Sequence, residues 1–190
     1  MKKKRRNKMN KIAIFLAAGF EEIEALTVVD ICRRAGINVT MASVTADLVV
    51  EGSHGIKVTA DCVLEEVDFD SMDMLVLPGG MPGTKNLEAC DKLMEQVDAF
   101  DQAGKYVAAI CAAPSVLGHR GILEGRKACC YPGFEDQLKG AEVVYDAVAV
   151  SDHVITSRGM GCAIPFGLAI TAVLCGDEKA KELSKGIIYE

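Results

Sequence analysis

The sequence predicts an α/β protein in which helices cover both faces of a mostly parallel sheet. Strand patterns and helix patterns alternate along the chain, and this rhythm is typical of βαβ units. The strand candidates are short continuous apolar runs, as expected for strands that are buried on both faces. A length of 190 residues fits a single domain with a sizeable core.

Each element has its own signal. The first helix has three glutamates at its start, Arg33 and Arg34 in its last turn, and Gly36 as its stop. A turn centred on residues 51–55 predicts a hairpin. In chain order we predict a strand over 11–17, a helix over 21–35, a strand over 37–44, a hairpin over 48–60, a strand over 72–77, helices over 84–90 and 93–103, a strand that ends at Cys111 and the helix after it, strands over 143–150 and 153–156, a helix over 161–174, and a polar helix from 177.

Cys111 lies at the most informative junction. The apolar run 105–110 ends abruptly at this cysteine, and small residues and Pro114 follow, as at the opening of a helix. A strand-to-helix turn of this kind is a nucleophile elbow, and a helix amino terminus lowers the pKa of a thiol. The sequence therefore predicts a reactive thiolate at Cys111, although unpaired cysteine is more often simply buried.

The remaining cysteines and histidines point to no metal site. The chain has eight cysteines without Cys-x-x-Cys spacing, and its three histidines are scattered. The other seven cysteines are interpreted as structural, except that the pattern leaves the adjacent pair Cys129-Cys130 open. Reduced thiols predict a cytoplasmic protein. No motif calls for a metal or an organic cofactor.

The amino terminus differs in charge from the rest of the chain. Residues 2–11 carry seven basic and no acidic side chains, which leaves 14 basic and 27 acidic side chains and a net charge of −13 beyond them. We expect residues 1–10 to form a disordered tail and residues 11–190 a single domain. The acidic body argues against nucleic-acid binding. A signal peptide is rejected because three glutamates directly follow the apolar run 12–19, and no other segment suggests a membrane span.

A glycine-rich loop over 78–83 follows another predicted strand. In a parallel sheet, ligands bind at the carboxyl ends of strands, where this loop, residues 19–24 and Cys111 all fall. The loop is neither a P-loop nor a dinucleotide fingerprint. It is either an oxyanion-binding turn or a tight turn that merely needs glycine.

Five ordered motifs resemble the ThiJ/PfpI superfamily, in the branch of the parkinsonism-associated deglycase (DJ-one) and the YajL-like proteins. These motifs are Gly19-Phe20-Glu21-Glu22-Ile23-Glu24-Ala25, Val29-Asp30 with Arg33-Arg34-Ala35-Gly36, Leu77-Pro78-Gly79-Gly80, Ala109-Ile110-Cys111-Ala112-Ala113-Pro114 and Thr156-Ser157-Arg158-Gly159. The resemblance runs from about residue 11 to the end. It implies a flavodoxin-like three-layer sandwich, with the elbow at Cys111, and a homodimer.

The resemblance also implies roles for individual residues. Cys111 takes the place of the reactive cysteine, and Glu24 that of the glutamate that hydrogen-bonds its sulfur. The backbone amides of Gly80 and Ala112 take the place of an oxyanion site.

Three further residues are implied as contacts to the substrate or to a partner subunit: His54, Tyr131 and Arg158. Tyr131 stands where several relatives have histidine. Met81 and Met160 also depart from residues common in the family, so we expect an altered pocket rim.

Glu24 has two interpretations from the residues alone. It is either one of three acids that complement the helix dipole or a buried carboxyl group. Its helical spacing with Val28, Ile31 and Ala35 favours burial. A buried carboxyl has a raised pKa, so we expect it to be protonated and to donate a hydrogen bond to the thiolate.

The activity implied by the resemblance is cysteine-dependent conversion of reactive carbonyls. Glyoxal, methylglyoxal and early glycation adducts on proteins are the expected substrates, handled by a glutathione-independent glyoxalase or deglycase. The alternative is a redox sensor or redox-regulated chaperone that is oxidised at Cys111. A Cys-His peptidase is disfavoured because Ala112 follows the cysteine, and an amidotransferase is disfavoured because no His-x-Glu follows downstream.

Overall fold

The computed structural model describes residues 10–189, and its centre is a seven-stranded sheet. The strand order is β10-β11-β7-β6-β1-β2-β5, and every pairing is parallel except that of β10 with β11. The strands of this sheet are β1 (Lys11–Leu16), β2 (Asn38–Ser43), β5 (Cys62–Val63), β6 (Met74–Leu77), β7 (Tyr106–Ile110), β10 (Val148–Ser151) and β11 (Val154–Ser157).

Two small sheets accompany the central one. Strands β3 (Val49–Glu51) and β4 (Lys57–Thr59) form the predicted hairpin, and β8 (Lys127–Ala128) pairs in parallel with β9 (Glu142–Val143). The helices are α1 (Glu22–Arg34), α2 (Gly83–Glu88), α3 (Asp91–Gln102), α4 (Pro114–His119), α5 (Ala163–Cys175) and α6 (Asp177–Gly186).

Helices cover both faces of the central sheet, as predicted. Side chains alternate across each strand, so Ile12 and Ile14 of β1 face α1 and α5, whereas Phe15 faces α2, α3 and α4. Two continuous apolar cores result, one on each face. This arrangement confirms the three-layer fold class.

The parallel register brings the predicted functional segments to one edge of the sheet. β1 lies between β2 and β6, and β7 lies between β6 and β11. The carboxyl ends of β1, β6, β7 and β11 therefore deliver residues 17–24, 78–83, 111–113 and 158–160 to the same edge. This is the edge at which α/β proteins bind ligands.

The predicted strand over 143–150 is wrong. The structure has β9 at its start and β10 at its end, separated by residues 144–147. The Ala147 carbonyl oxygen between them accepts hydrogen bonds from the Ser157 hydroxyl at 2.8 Å and the Arg158 amide at 3.4 Å, which turns the chain there. The two-residue strands β5 and β8 were not predicted, because two residues show no period.

The remaining predictions concern the cysteines, the membrane and the tail. All eight cysteines are free thiols. Between residues 10 and 189, no helix has the length and apolar character needed to cross a bilayer. The predicted tail lies outside the described residues, except for Asn10, whose side chain donates to the Leu174 carbonyl at 2.7 Å.

Candidate active site

Cys111 sits on the turn between β7 and α4, as predicted. Its φ of +66° is uncommon for a residue other than glycine. Two backbone hydrogen bonds hold this conformation: the Cys111 N–H donates to Ser157 O at 2.9 Å, and the Cys111 carbonyl accepts from Tyr131 N at 2.8 Å. A strained backbone at a strand-to-helix turn is the signature of a nucleophile elbow.

Glu24 is buried beside this cysteine, with an exposed fraction of 1%. Its Oε2 accepts a hydrogen bond from Gly79 N at 3.0 Å, and its carboxyl group lies close enough to the Cys111 thiol for each group to shift the pKa of the other. Its Oε1 is buried without a hydrogen-bond partner among the described residues. Glu24 is therefore a site residue rather than only a first-turn helix acid. That capping role belongs to Glu21, whose Oε2 accepts from Glu24 N at 2.7 Å.

Burial dominates the acidity of the Glu24 carboxyl group. Desolvation raises the pKa of Glu24 to about 7, and the charge of Glu21 adds to this effect. The hydrogen bonds from Cys111 and Gly79 act in the opposite direction. The direction agrees with the predicted protonated carboxyl group.

The thiol does not have the lowered pKa that the sequence predicts. Burial, followed by the charge of Glu24 and its hydrogen bond, raises the pKa of Cys111 to about 12. The N–H groups of Ala112 and Gly80 lower it but do not compensate. The amino terminus of α4 does little to lower the pKa of Cys111, because α4 has only six residues and begins three residues after the cysteine. Two of the three raising causes come from Glu24, so the two acids compete for protons as a pair.

The backbone amides of Gly80 and Ala112 converge on the Cys111 sulfur. Both amides lower the pKa of the thiol, which makes this position favourable for negative charge. Gly80 has a φ of +91°, and a Cβ there would overlap with the Glu21 amide. No other residue type fits this position without moving the loop.

Gly79 is a functional residue that the sequence reasoning named only as part of a motif. It donates the hydrogen bond to Glu24, and a Cβ built on it would lie 2.6 Å from the Cys111 Cβ and 2.6 Å from Glu24 Oε2. Its only signal in the sequence was the adjacent pair of glycines after β6. The pair Gly79-Gly80 thus forms a backbone cradle around the cysteine and the glutamate.

Tyr131 lies at the rim of the site. Besides its bond to Cys111 O, its ring carbon Cδ2 is 3.3 Å from where a Gly159 Cβ would sit, and Glu24 Oε1 is 3.9 Å from that same point. The ring is half exposed. Tyr131 and the unpartnered oxygen of Glu24 therefore both border Gly159.

The Arg158 side chain contacts Tyr145 rather than Cys111 or Glu24. Its Nη1 donates to Tyr145 O at 3.4 Å, and its guanidinium carbon lies 5.8 Å from the centre of the Tyr145 ring. Its charge lowers the pKa of Cys129 and Cys130, although burial raises both overall. The structure thus brings Arg158 to the same sheet edge without a hydrogen bond to Cys111 or Glu24.

His54 is held by Glu22 of its own chain. Its ring Nδ1 is 3.0 Å from Glu22 Oε2, and its backbone N–H donates to Glu22 Oε1 at 2.8 Å. Ser53 Oγ and Ile56 N donate to the same carboxylate at 3.3 and 3.4 Å. We call this arrangement of Glu22 with residues 53–56 the hairpin clasp. The predicted contact of His54 with a partner subunit stays a prediction.

One group of metal-ligating side chains occurs within residues 10–189. It comprises Glu21, Glu22 and His54, whose ligand atoms lie within 4.8 Å of one another. The hairpin donors already occupy both oxygens of Glu22, and Glu21 caps α1. These hydrogen bonds account for the grouping without a metal.

Almost the whole chain is similar to proteins of one known family. The model of the DJ-1/PfpI family matches residues 10–173. "Protein DJ-1 homolog B" of Arabidopsis thaliana is 39% identical over 180 residues, which are 94% of this chain and 41% of that protein. This chain thus spans about two fifths of that relative's length.

Two further relatives match over nearly their whole length. "Glutathione-independent glyoxalase DJR-1.2" of Caenorhabditis elegans is 34% identical over 166 residues, which cover 87% of this chain and 88% of that protein. The structure of oxidized Toxoplasma gondii DJ-1 superposes with a TM-score of 0.91 at 37% identity, covering 94% of this chain and 98% of that one. The chain therefore belongs to the DJ-1/PfpI family.

Proposed function

We propose that this protein is a cysteine-dependent enzyme that converts small reactive carbonyls, glyoxal and methylglyoxal, into hydroxy acids without glutathione. The observation that carries the proposal is the buried Glu24 carboxyl group beside the Cys111 thiol, next to the backbone amides of Gly80 and Ala112. The relative from Caenorhabditis elegans is named a glutathione-independent glyoxalase, and this name supports the same class of substrate.

The first step is addition of the thiol to the aldehyde. When the shared proton is on Glu24, the Cys111 sulfur is a thiolate and attacks the aldehyde carbon. The carbonyl oxygen gains the electron pair beside the Gly80 and Ala112 amides, and Glu24 donates its proton to it. The product is a neutral hemithioacetal and a Glu24 carboxylate.

The second step uses Glu24 as a base. The carboxylate removes the hydrogen from the former aldehyde carbon to give an enediol, and the proton returns to the neighbouring carbon. The resulting thioester is hydrolysed by water, which releases lactate or glycolate and restores the thiol. One group that both donates and accepts a proton suffices when its pKa is near the working pH, and that of Glu24 is raised to about 7.

The same pair supports a second function, as a sensor of peroxide. The unpartnered Oε1 of Glu24 is buried near the sulfur, and an oxygen added to sulfur would meet the Gly80 and Ala112 donors. The Toxoplasma gondii relative is an oxidized form of DJ-1. Deglycase activity on glycated proteins would use the first step with a larger substrate.

The homodimer and the cytoplasmic location belong to this proposal. A groove on α1 supports pairing between two copies. Its lining combines the apolar side chains of Leu26, Ile31, Ile164 and Ile187 with Thr27 and the paired charges of Asp30 and Arg34. Half-exposed Ile23 continues this apolar surface. Eight free thiols support a reducing compartment.

A glyoxalase assay without glutathione tests the proposal. We expect the wild type to convert methylglyoxal to lactate, and Cys111→Ala to lose the activity. Cys175→Ala is the matched control, because Cys175 is an exposed thiol at the end of α5. If Cys111→Ala and the wild type convert methylglyoxal equally fast, the proposal of a cysteine-dependent enzyme is contradicted. No turnover combined with peroxide-dependent oxidation of Cys111 favours the sensor.

A further inference from the structure

A second cavity lies between α5 and α6 and shares no residue with the Cys111 site. Its volume is about 370 Å³, within the range of small-molecule pockets. Pro165 and Leu168 of α5 form one side, and Ala180 of α6 contributes to the other. The cavity therefore offers an apolar slot between two helices.

A buried hydroxyl group without a partner lines this slot. Ser184 of α6 is 7% exposed, and its Oγ has no hydrogen-bond partner among the described residues. A serine inside a helix ordinarily donates to the carbonyl four residues earlier, as Thr171 of α5 does to Gly167 O at 2.9 Å. An unsatisfied buried hydroxyl is costly, so a rotation of the Ser184 side chain that presents Oγ to a bound ligand would be favoured.

Positive charge flanks the hydroxyl group. Lys181 and Lys185 both line the cavity, three residues before and one residue after Ser184. Lys181 forms an exposed ion pair with Glu178 at 3.2 Å, whereas Lys185 forms no ion pair with a described residue. Among residues 10–189, one ammonium group and one hydroxyl group of this cavity are thus without a partner, which suits an anion with a single charge.

The chain after α6 folds back onto the cavity. Ile187, Ile188 and Tyr189 donate to carbonyls of the last turn, and Tyr189 N reaches Ser184 O at 3.0 Å. Ile188 has a φ of +58°, which is strained for a β-branched residue, and it is 93% exposed. This strained turn brings Tyr189 to the mouth of the cavity, which it lines.

We propose that the cavity between α5 and α6 binds a medium-chain monocarboxylate. The aliphatic chain would lie against Pro165, Leu168 and Ala180. The carboxylate would accept hydrogen bonds from Lys185 Nζ and Ser184 Oγ, with charge-assisted bonds contributing most. A phosphate dianion is less suitable because the described part of the chain offers this site one unpaired cation, Lys185.

Titration calorimetry with decanoate, kept below its micelle concentration, tests the proposal on the full chain. We expect saturable binding of one decanoate per chain. Lys185→Gln should weaken it at least tenfold and Ser184→Ala about threefold or more, whereas uncharged 1-decanol should bind more weakly than decanoate. Ala180→Glu places a negative charge in the slot and should abolish binding, with circular dichroism confirming that the variant is folded.

Lys179→Gln is the matched control, since Lys179 belongs to the same helix and pairs with Glu182 but does not line the cavity. It should bind decanoate like the wild type. Absence of saturable binding overturns the proposal, and so does binding that Lys185→Gln and Ala180→Glu leave unchanged. It is equally overturned if the wild type binds no decanoate and the variants change only the oligomeric state, because a second copy then covers the cavity.

Discussion

At the scale of single residues, the two oxygens of Glu24 have different surroundings. Oε2 is fixed by the Gly79 amide, whereas Oε1 has no partner among the described residues and lies towards Gly159 and Tyr131. A carboxyl group that is anchored through one oxygen leaves the other free to carry a proton. This asymmetry suits a group that exchanges protons with a bound molecule.

Replacing Glu24 with Gln should separate acidity from turnover. The variant keeps an acceptor for Gly79 N and a donor for the sulfur, but it cannot exchange a proton. Methylglyoxal turnover should fall by roughly a hundredfold or more, as expected for a lost general acid–base. The pKa of Cys111 should decrease, because the carboxylate charge that raises it is gone. Turnover equal to that of the wild type contradicts the proton-transfer role.

The same variant should change how stability depends on pH. The pKa of Glu24 is raised to about 7 in the folded state, above its ordinary value of 4.5, so the folded chain holds this proton more tightly. The stabilisation of the folded state that comes from this proton is fully present below about pH 4.5 and is lost as the pH rises through 7. Glu24→Gln should therefore be more stable than the wild type at pH 8, by on the order of 1–3 kcal/mol. Denaturant unfolding at pH 5 and pH 8 measures this, and a difference that does not grow with pH contradicts the argument.

At the scale of elements, the hairpin clasp connects β3 and β4 to the beginning of α1. Burial alone would raise the pKa of Glu22, but its hydrogen bonds from the His54 side chain, His54 N and Ile56 N lower it to about 2. The carboxylate in turn raises the pKa of His54. Glu21 N donates to Gly79 O at 2.9 Å, so the start of α1 is also bound to the glycine cradle.

Gly52→Ala should open the clasp without touching Cys111. A Cβ at Gly52 would overlap with the Glu22 carboxyl group, which must then move away from residues 53–56. We expect a loss of about 1–3 kcal/mol of stability, the cost of leaving buried polar groups unpaired. This loss should shrink as the pH falls from about 4.5 towards 2, because protonation of Glu22 weakens the clasp in the parent as well.

Gly161→Ala is the control for that experiment, since a Cβ at Gly161 meets no atom within 4 Å. Thermal unfolding of both variants between pH 2.5 and pH 7 provides the measurement. If Gly52→Ala and Gly161→Ala lose equal stability at every pH, the clasp does not contribute to stability.

The sequence was informative where local pattern decides the structure. The elbow at Cys111 could be predicted because an apolar run, small residues and Pro114 are adjacent in the chain. The clasp could not, because Glu22 and His54 are 32 residues apart and share no period. The direction of the thiol pKa was wrong because it depends on burial and on Glu24, which lies on a different element. Gly79 belongs to a recognisable motif, but nothing in the sequence indicates that its amide donates a hydrogen bond to the Glu24 carboxyl group.

At the scale of the whole molecule, the exposed side of α1 is the surface most suited to a second copy. Ile23 is half exposed, and the groove beside Leu26 and Ile31 is continuous with Ile164 and Ile187 from the other end of the chain. An apolar surface of this kind in a soluble domain commonly marks an interface.

Ile23→Asp should therefore give a monomer if α1 carries the proposed dimer. A charge in the middle of an apolar interface remains unpaired there, which disfavours association. Sedimentation velocity at micromolar concentration should show the wild type as a dimer and the variant as a monomer. Val150→Asp is the control, because Val150 is half exposed on the edge strand β10. A monomeric wild type contradicts the proposal.

The glycine cradle has a consequence for how proteins of this design can diversify. The sulfur and the carboxyl group are enclosed by main chain at residues 79–80, where an added methyl group would collide with the reacting atoms or the backbone beside them. Substitution of either glycine is therefore disfavoured, so the chemistry is difficult to alter by stepwise changes at these two positions. The exposed rim residues Met81, Tyr131 and Met160 carry no such restriction. Under the proposed function, new substrates are thus expected to arise by exchange at the rim, while the cradle keeps the surroundings of Cys111 and Glu24 unchanged.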